Sequence, residues 1–321
     1  MSRRPQPADP RVAATAVAVA VLLLGLVALL ALAAPAAEAA PRLHPPAEAS
    51  ASSAGEEARI RAYWTSERMG STAPLPAPGG GGRRDNPLAV ASFSPVPDAT
   101  LAPYMVNGRI FVRQGRSRGY CSGTAINSPS RQLVLTAGHC VNTGPRGRRG
   151  TSAWSRYMEF VPAYTDGVAP FGSFVARRPQ IFAPKPWVRE GNPNYDMGAV
   201  VVGPSTTGVN VADAVGGGAV IAMNLTRKQT FQTFGYPGKV RRLQQCDSPS
   251  TGEDKLTRQI PGPPTVKIRC HWLPGASGGG WLIENGTMVN GLISYGRFRD
   301  LVHTYGPYFS SETVGELVAG L

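Results

Sequence analysis

The chain of 321 residues has little of several things. It holds only four cysteines and four histidines. None of them falls in a Cys-x-x-Cys or His-x-x-x-His spacing, which leaves no ordinary zinc site. No metal and no cofactor are therefore expected. Acidic residues are scarce, 20 against 33 basic ones, for a formal charge of +13. Arg146-Gly-Arg148-Arg149, Arg177-Arg178 and Arg241-Arg242 are the main basic clusters. They carry no interleaved aromatics and no nucleic-acid motif, so nucleic acid is not an expected partner and the charge reads as solvated surface.

Long apolar runs are also rare, with one exception. Residues 12–34 are almost purely apolar, follow Arg3, Arg4 and Arg11, and precede Ala37-Glu38-Ala39. A basic start, an apolar centre and a small-x-small site describe a secretory signal peptide over residues 1–39. The run is also long enough to cross a bilayer, so a retained anchor is the alternative. Four cysteines in an exported chain imply two disulfides. Three pairings are possible, and the sequence-local one, Cys121–Cys140 with Cys246–Cys270, is expected.

Residues 40–104 are rich in proline, glycine and alanine and show little periodicity. Ala73-Pro-Leu-Pro-Ala-Pro78 and Gly79 to Gly82 read as a pro-segment or linker with too little apolar surface to offset its ordering entropy. One short helix is expected over residues 56–64. Arg83-Arg84 is a candidate processing site.

From residue 105 to 321 the texture is that of an all-β domain, with short apolar runs between Gly, Pro, Asn and Asp. About six candidate strands lie on each side of a link at residues 203–208, which suggests two barrels. One of them is placed at Val240–Gln244. Val314, Leu317, Val318 and Leu321 keep helical spacing behind a capping box at Thr313 and Glu316, so a short C-terminal helix is expected.

Three separated residues carry chemistry. Ser277 sits in Gly275-Ala-Ser-Gly-Gly-Gly280, where glycines let the backbone turn tightly and approach a substrate. A serine hydroxyl needs a base within reach, and the base needs a group to fix its tautomer. His139, in Leu135-Thr-Ala-Gly-His-Cys140, fits the base. Asp196 fits the orienting carboxylate, because an acid at the lip of the buried run Met197–Val202 is costly unless paired. Asp166 and Asp213 are the alternatives. The amides of Gly275 and Ser277 are the expected oxyanion donors. The chain order His–Asp–Ser, and the lack of a helix after Ser277, argue against an α/β-hydrolase.

Thr136-Ala-Gly-His-Cys140, Cys121-Ser-Gly-Thr124, Tyr195-Asp196 before an apolar strand, Gly275-Ala-Ser-Gly-Gly279 and Ser294-Tyr-Gly296 together resemble the chymotrypsin/trypsin family of serine peptidases, especially its secreted bacterial members. The resemblance covers residues 105–321. It implies two Greek-key six-stranded β-barrels with the site between them, and peptide-bond hydrolysis through an acyl-enzyme. It also implies substrate contacts at Ser294, Tyr295 and Gly296, with His271 at the place of the pocket floor.

Two departures limit the carry-over. Residue 276 is Ala where trypsin-like enzymes have the Asp that pairs with a new N-terminal ammonium, and no Ile-Val-Gly-Gly start precedes Cys121. His271 stands where basic-P1 enzymes have an acid, and Ile293 where glutamyl-specific relatives have a histidine. The expectation is a secreted, monomeric serine endopeptidase acting on protein or peptide substrates. The alternatives are an inactive homologue that binds through the fold, or a surface peptidase that meets the membrane only if residues 12–34 are retained.

Overall fold

The computed structural model describes residues 54–78, 92–145, 152–297, 300–319 and 321. The leader expected over residues 1–39, the pair Arg83-Arg84 and the cluster at residues 146–149 lie outside them, as do the side chains of Arg177 and Arg178.

The first described part is a strap. Helix α1 (Ala54–Tyr63) and helix α2 (Ser66–Ser71) are separated by Trp64 and Thr65, and the Thr65 hydroxyl accepts from the Arg68 amide at 3.2 Å and caps α2. Ile60, Trp64, Met69 and Leu75 are all buried against the body of the protein. The Trp64 indole N–H donates to the Tyr157 carbonyl at 2.6 Å, and Arg61 donates to the carbonyls of Ser173 and Pro204 at 2.6 and 2.8 Å. The helix expected near residues 56–64 is present. The expectation of an unpacked linker fails for residues 54–78. Four well-spaced apolar side chains suffice here because a neighbouring barrel supplies the other half of the core.

Strand β1 (Ser94–Pro95) follows and pairs with a strand of the second half. Beside it, Ser92 Oγ accepts from the His271 amide at 2.7 Å, and Phe93 stacks on Trp272 with 5.1 Å between ring centroids.

Six strands then form a closed antiparallel barrel: β2 (Asn107–Gln114), β3 (Ser117–Ile126), β4 (Leu133–Thr136), β5 (Arg156–Pro162), β6 (Phe174–Phe182) and β7 (Gly198–Val202), joined in the order β2-β3-β4-β7-β6-β5. Ile110, Val134, Met158, Phe160 and Val200 fill its centre and leave no room for a water molecule. Two short helices hang from this barrel: α3 (Gly138–Val141) directly after β4, and α4 (Lys185–Glu190) between β6 and β7. Helix α5 (Val211–Ala214) lies in the connection to the second half.

The second half contains β8 (Val220–Ile221), β9 (Thr230–Gly235), β10 (Gln244–Glu253), β11 (Val266–Ile268), β12 (Gly280–Ile283), β13 (Met288–Leu292) and β14 (Thr304–Gly306), in the order β14-β11-β10-β9-β12-β13-β8. Beyond β13 the backbone of Tyr295 exchanges both hydrogen bonds with Tyr305 of β14, at 2.9 and 3.1 Å. That bridge brings β9 to β14 round into a second six-stranded ring. The two-barrel, all-β expectation therefore holds.

Two local expectations do not. The strand placed at Val240–Gln244 starts only at Gln244 and runs to Glu253. Its sequence, with Asp247, Pro249 and Gly252, has poor strand propensity, but β9 pairs with it from Gln244 to Pro249 and β11 from Ser250 to Glu253, and this pairing overrides that preference. The C-terminal cap lies three residues early. Ser310 and Thr313 cap each other, a π-helical turn spans Ser311–Gly315, and α6 (Glu316–Val318) follows with Val314 and Leu317 buried. Thr313 is drawn inward because its hydroxyl accepts from the Ser310 amide at 2.8 Å.

Candidate active site

Strands β4 and β7 pair antiparallel with Thr136 opposite Gly198. The residues just after β4 and just before β7 therefore leave the barrel at the same edge. They are His139, in the first turn of α3, and Asp196, at the end of a 3₁₀ turn over Pro193–Tyr195. The Asp196 carboxylate, fully buried, takes the His139 backbone N–H on Oδ1 at 2.7 Å and faces Nδ1 of the ring from Oδ2 at 2.9 Å. Gly138 makes this approach possible, since a Cβ there would lie 2.9 Å from Asp196 Oδ1. The ring is held further by Trp187 of α4, edge-on at 6.3 Å between centroids, and the His139 carbonyl accepts from Gln114 at 2.8 Å. With Nδ1 facing the carboxylate, Nε2 is buried without a hydrogen-bond partner.

Asp196 has one more donor, which the sequence reading assigned elsewhere. Ser294 Oγ, from the second barrel, donates to Asp196 Oδ2 at 2.5 Å. A lone serine before Tyr-Gly carries no sequence signal for such a bond. The alternative acids Asp166 and Asp213 lie away from this group, in surface ion pairs with Arg242 and Arg131.

Ser277 lies on the loop between β11 and β12 and is 2% exposed. Its carbonyl accepts from the Ser122 amide of β3 at 2.7 Å, a bond between the two barrels, and Cys140 Sγ lies 3.8 Å from the same oxygen. The next residue seals the contact. Gly278 has φ +84°, and a Cβ there would sit 2.2 Å from Thr136 Oγ1 and 2.4 Å from the Ser122 carbonyl. The serine loop is thus pressed onto the end of β4, beside the histidine turn.

Gly275 has φ +96°. Among the described residues, neither its amide nor that of Ser277 donates to a protein acceptor. Tyr120 and the Tyr236 carbonyl back this turn so closely that a Cβ on Gly275 would meet both within 2.7 Å. Behind them the buried Arg109 guanidinium lies 4.1, 4.7 and 5.0 Å from the rings of Tyr120, Tyr164 and Tyr236. Burial pushes the Arg109 guanidinium below its ordinary range and the three phenols above theirs.

A cleft of about 260 Å³ opens beside Ser277. Ser294, Tyr295 and Gly296 line it, with Trp272, Leu273 and Pro274. His271 does not line it. That residue is 2% exposed, and its amide is taken by Ser92. The β1 segment covers the position that the resemblance gave to the pocket floor.

Both expected disulfides are formed. Cys121–Cys140 and Cys246–Cys270 have Cα separations of 6.2 and 6.1 Å. The first ties β3 to α3, so it holds the histidine turn to the strand that also binds Ser277.

No protein-family model and no curated protein matches the sequence. Solved structures do match. Protease Anisep from Arthrobacter nicotinovorans is 32% identical, over 64% of this chain and 90% of that one, with a TM-score of 0.57. The chain belongs to the chymotrypsin-like serine proteases. The thermostable serine protease AL20 from an extremophilic microorganism is 28% identical, over 67% of this chain and 96% of that one, with a TM-score of 0.58. A Glu endopeptidase shares the fold at 20% identity and a TM-score of 0.56, over 72% of this chain and 97% of that one.

This chymotrypsin-like protease has Ala at residue 276, the place of the trypsin-like Asp. The Ala276 side chain is fully buried, and a Cβ on Gly235 would approach it to 2.9 Å. A carboxylate there would enter closely packed surroundings.

Proposed function

We propose that the chain is a secreted serine endopeptidase in which Ser277 is the nucleophile, His139 the general base and then acid, and Asp196 the group that orients the imidazole. The observation that carries this reading is the pair of hydrogen bonds that the Asp196 carboxylate accepts from His139, one from the backbone amide and one from the ring, at the edge where the Ser277 loop packs. With Nδ1–H held by the carboxylate, Nε2 is the basic nitrogen. It takes the Ser277 proton as Oγ attacks the peptide carbonyl, and returns it to the leaving amine as the acyl-enzyme forms. Water then attacks the ester by the same route. The Gly275 and Ser277 amides donate to the oxyanion at each tetrahedral stage.

Substrate backbone pairs with the Ser294 carbonyl and with Gly296, while Tyr295, whose backbone is bonded to Tyr305, lines the cleft. Two disulfides support an oxidising compartment, in keeping with a leader over residues 1–39. Ala276 supports a mechanism of site assembly that does without an ammonium–carboxylate pair.

The test is covalent labelling. A fluorophosphonate should modify the wild-type chain on prolonged incubation and leave Ser277→Ala unmodified. A folded wild-type chain that takes no label overturns the reading.

A further inference from the structure

Ala73-Pro-Leu-Pro-Ala77 is the part of the strap that reaches the cleft. The Leu75 amide donates to the Tyr120 carbonyl at 2.9 Å, and the Tyr120 amide donates to the Ala73 carbonyl at 3.2 Å. The segment thus lies as a short extended piece on β3, in parallel register at Pro74 and Tyr120. Leu75 is 5% exposed and covers Gly119, where a Cβ would lie 2.2 Å from its Cδ2. Pro74 presses on the Gly275 turn, and a Cβ on Gly275 would lie 2.9 Å from the Pro74 Cβ. Pro74, Pro76 and Ala77 line the same cleft as Ser277. With the strap in place the Asp196 and His139 side chains are wholly buried and Ser277 is 2% exposed.

We infer that residues 73–77 are an intramolecular occupant of one side of the cleft, walling the space that remains beside Ser277, and that the chain carrying them is a closed form. The surface they occupy, the Tyr120 edge and the Gly275 turn, is selective for a proline-rich apolar peptide. Such a peptide suits the place. Proline fixes φ before binding and so reduces the entropy lost on ordering. Pro74 and Pro76 also bring no N–H that would need an acceptor in an apolar cleft. In the two backbone bonds to Tyr120, Leu75 supplies the donor and Ala73 the acceptor, so the proline between them gives up no bond for want of an N–H. Opening requires the segment to leave β3, and Leu75 is its anchor.

This inference rests on Ser277 being the nucleophile, and the experiment separates the two. The rate of fluorophosphonate labelling is measured for the full wild-type chain, Leu75→Ala and Leu75→Asp, each shown to be folded by its thermal transition. A buried aspartate expels the segment, so Leu75→Asp should label about tenfold faster than wild type or more, with Leu75→Ala between them. Equal rates in all three overturn the occupant while leaving the nucleophile in place. Absence of label in all three removes both.

A second measurement needs no variant. Hydrogen exchange at the Leu75 and Tyr120 amides should speed up in the labelled wild-type chain, because the adduct and the segment share the cleft. Unchanged exchange overturns the inference even if Leu75→Asp fails to fold.

Discussion

Ser294 Oγ, from the second barrel, donates to Asp196 Oδ2, from the first, at 2.5 Å. Both residues are buried, so water does not replace the bond when one partner is removed. A hydrogen bond to a buried carboxylate contributes roughly 1.5–3 kcal/mol.

Ser294→Ala should therefore lower kcat/KM by about tenfold or more, mostly in kcat, because the carboxylate that orients His139 loses one of its holders. Steady-state kinetics on a peptide selected from a library would check this. A change confined to KM would place Ser294 in substrate binding alone.

Gly278→Ala should be far more damaging than a glycine replacement of similar φ elsewhere. Gly278 and Gly208 have φ of +84° and +81°, but a Cβ at 208 meets nothing within 4 Å. Gly208→Ala should cost about 1 kcal/mol, from backbone conformation alone. Gly278→Ala should cost about 3 kcal/mol, because the methyl group would enter Thr136 Oγ1 and the Ser122 carbonyl. Urea denaturation of the two variants measures the difference. Equal values would mean that the serine loop does not rest on β4 as described.

Glu159, on β5, is buried, and that burial raises its carboxyl to about 7, against the opposing effects of Ser173 and Arg61. A carboxyl raised on folding binds its proton more tightly in the native state. Its deprotonation therefore favours unfolding, and stability falls as pH rises from the ordinary carboxylate range to about 7. Glu159→Gln should remove that slope and leave the variant more stable than wild type at pH 8 by up to about 3 kcal/mol. Thermal unfolding from pH 4 to pH 8 would show it. Parallel curves for the two proteins would exclude Glu159 as the source.

Much of the fold was legible because the motifs are local. Thr136-Ala-Gly-His-Cys140 and Gly275-Ala-Ser-Gly-Gly279 each encode a tight turn next to a strand, and short apolar runs between turn residues mark most strands of both barrels. Strand β10 was hidden for the opposite reason. Its residues are mostly polar, and only pairing with β9 and then with β11 makes it a strand. The same holds for the strap. Ile60, Trp64, Met69 and Leu75 show no common period that would mark a core, because the surface they bury against lies far along the chain, as with Phe111 and Tyr157 for Trp64 and Gly119 for Leu75. Ser294 was found by its motif but given only a backbone role. Its bond to Asp196 joins residues 98 positions apart, and no local pattern records it. His271 was placed by counting back from Ser277, and counting cannot reveal that Ser92 takes its amide while Phe93 stacks on the adjacent Trp272.

The Ser122 amide on the Ser277 carbonyl and the Ser294 hydroxyl on Asp196 both cross between the barrels. Under the mechanism proposed above, the first barrel supplies His139 and Asp196 and the second supplies Ser277, so neither half owns a complete set of reacting groups. Hydrolysis then belongs to the seam, and to neither of the two pieces that meet along it.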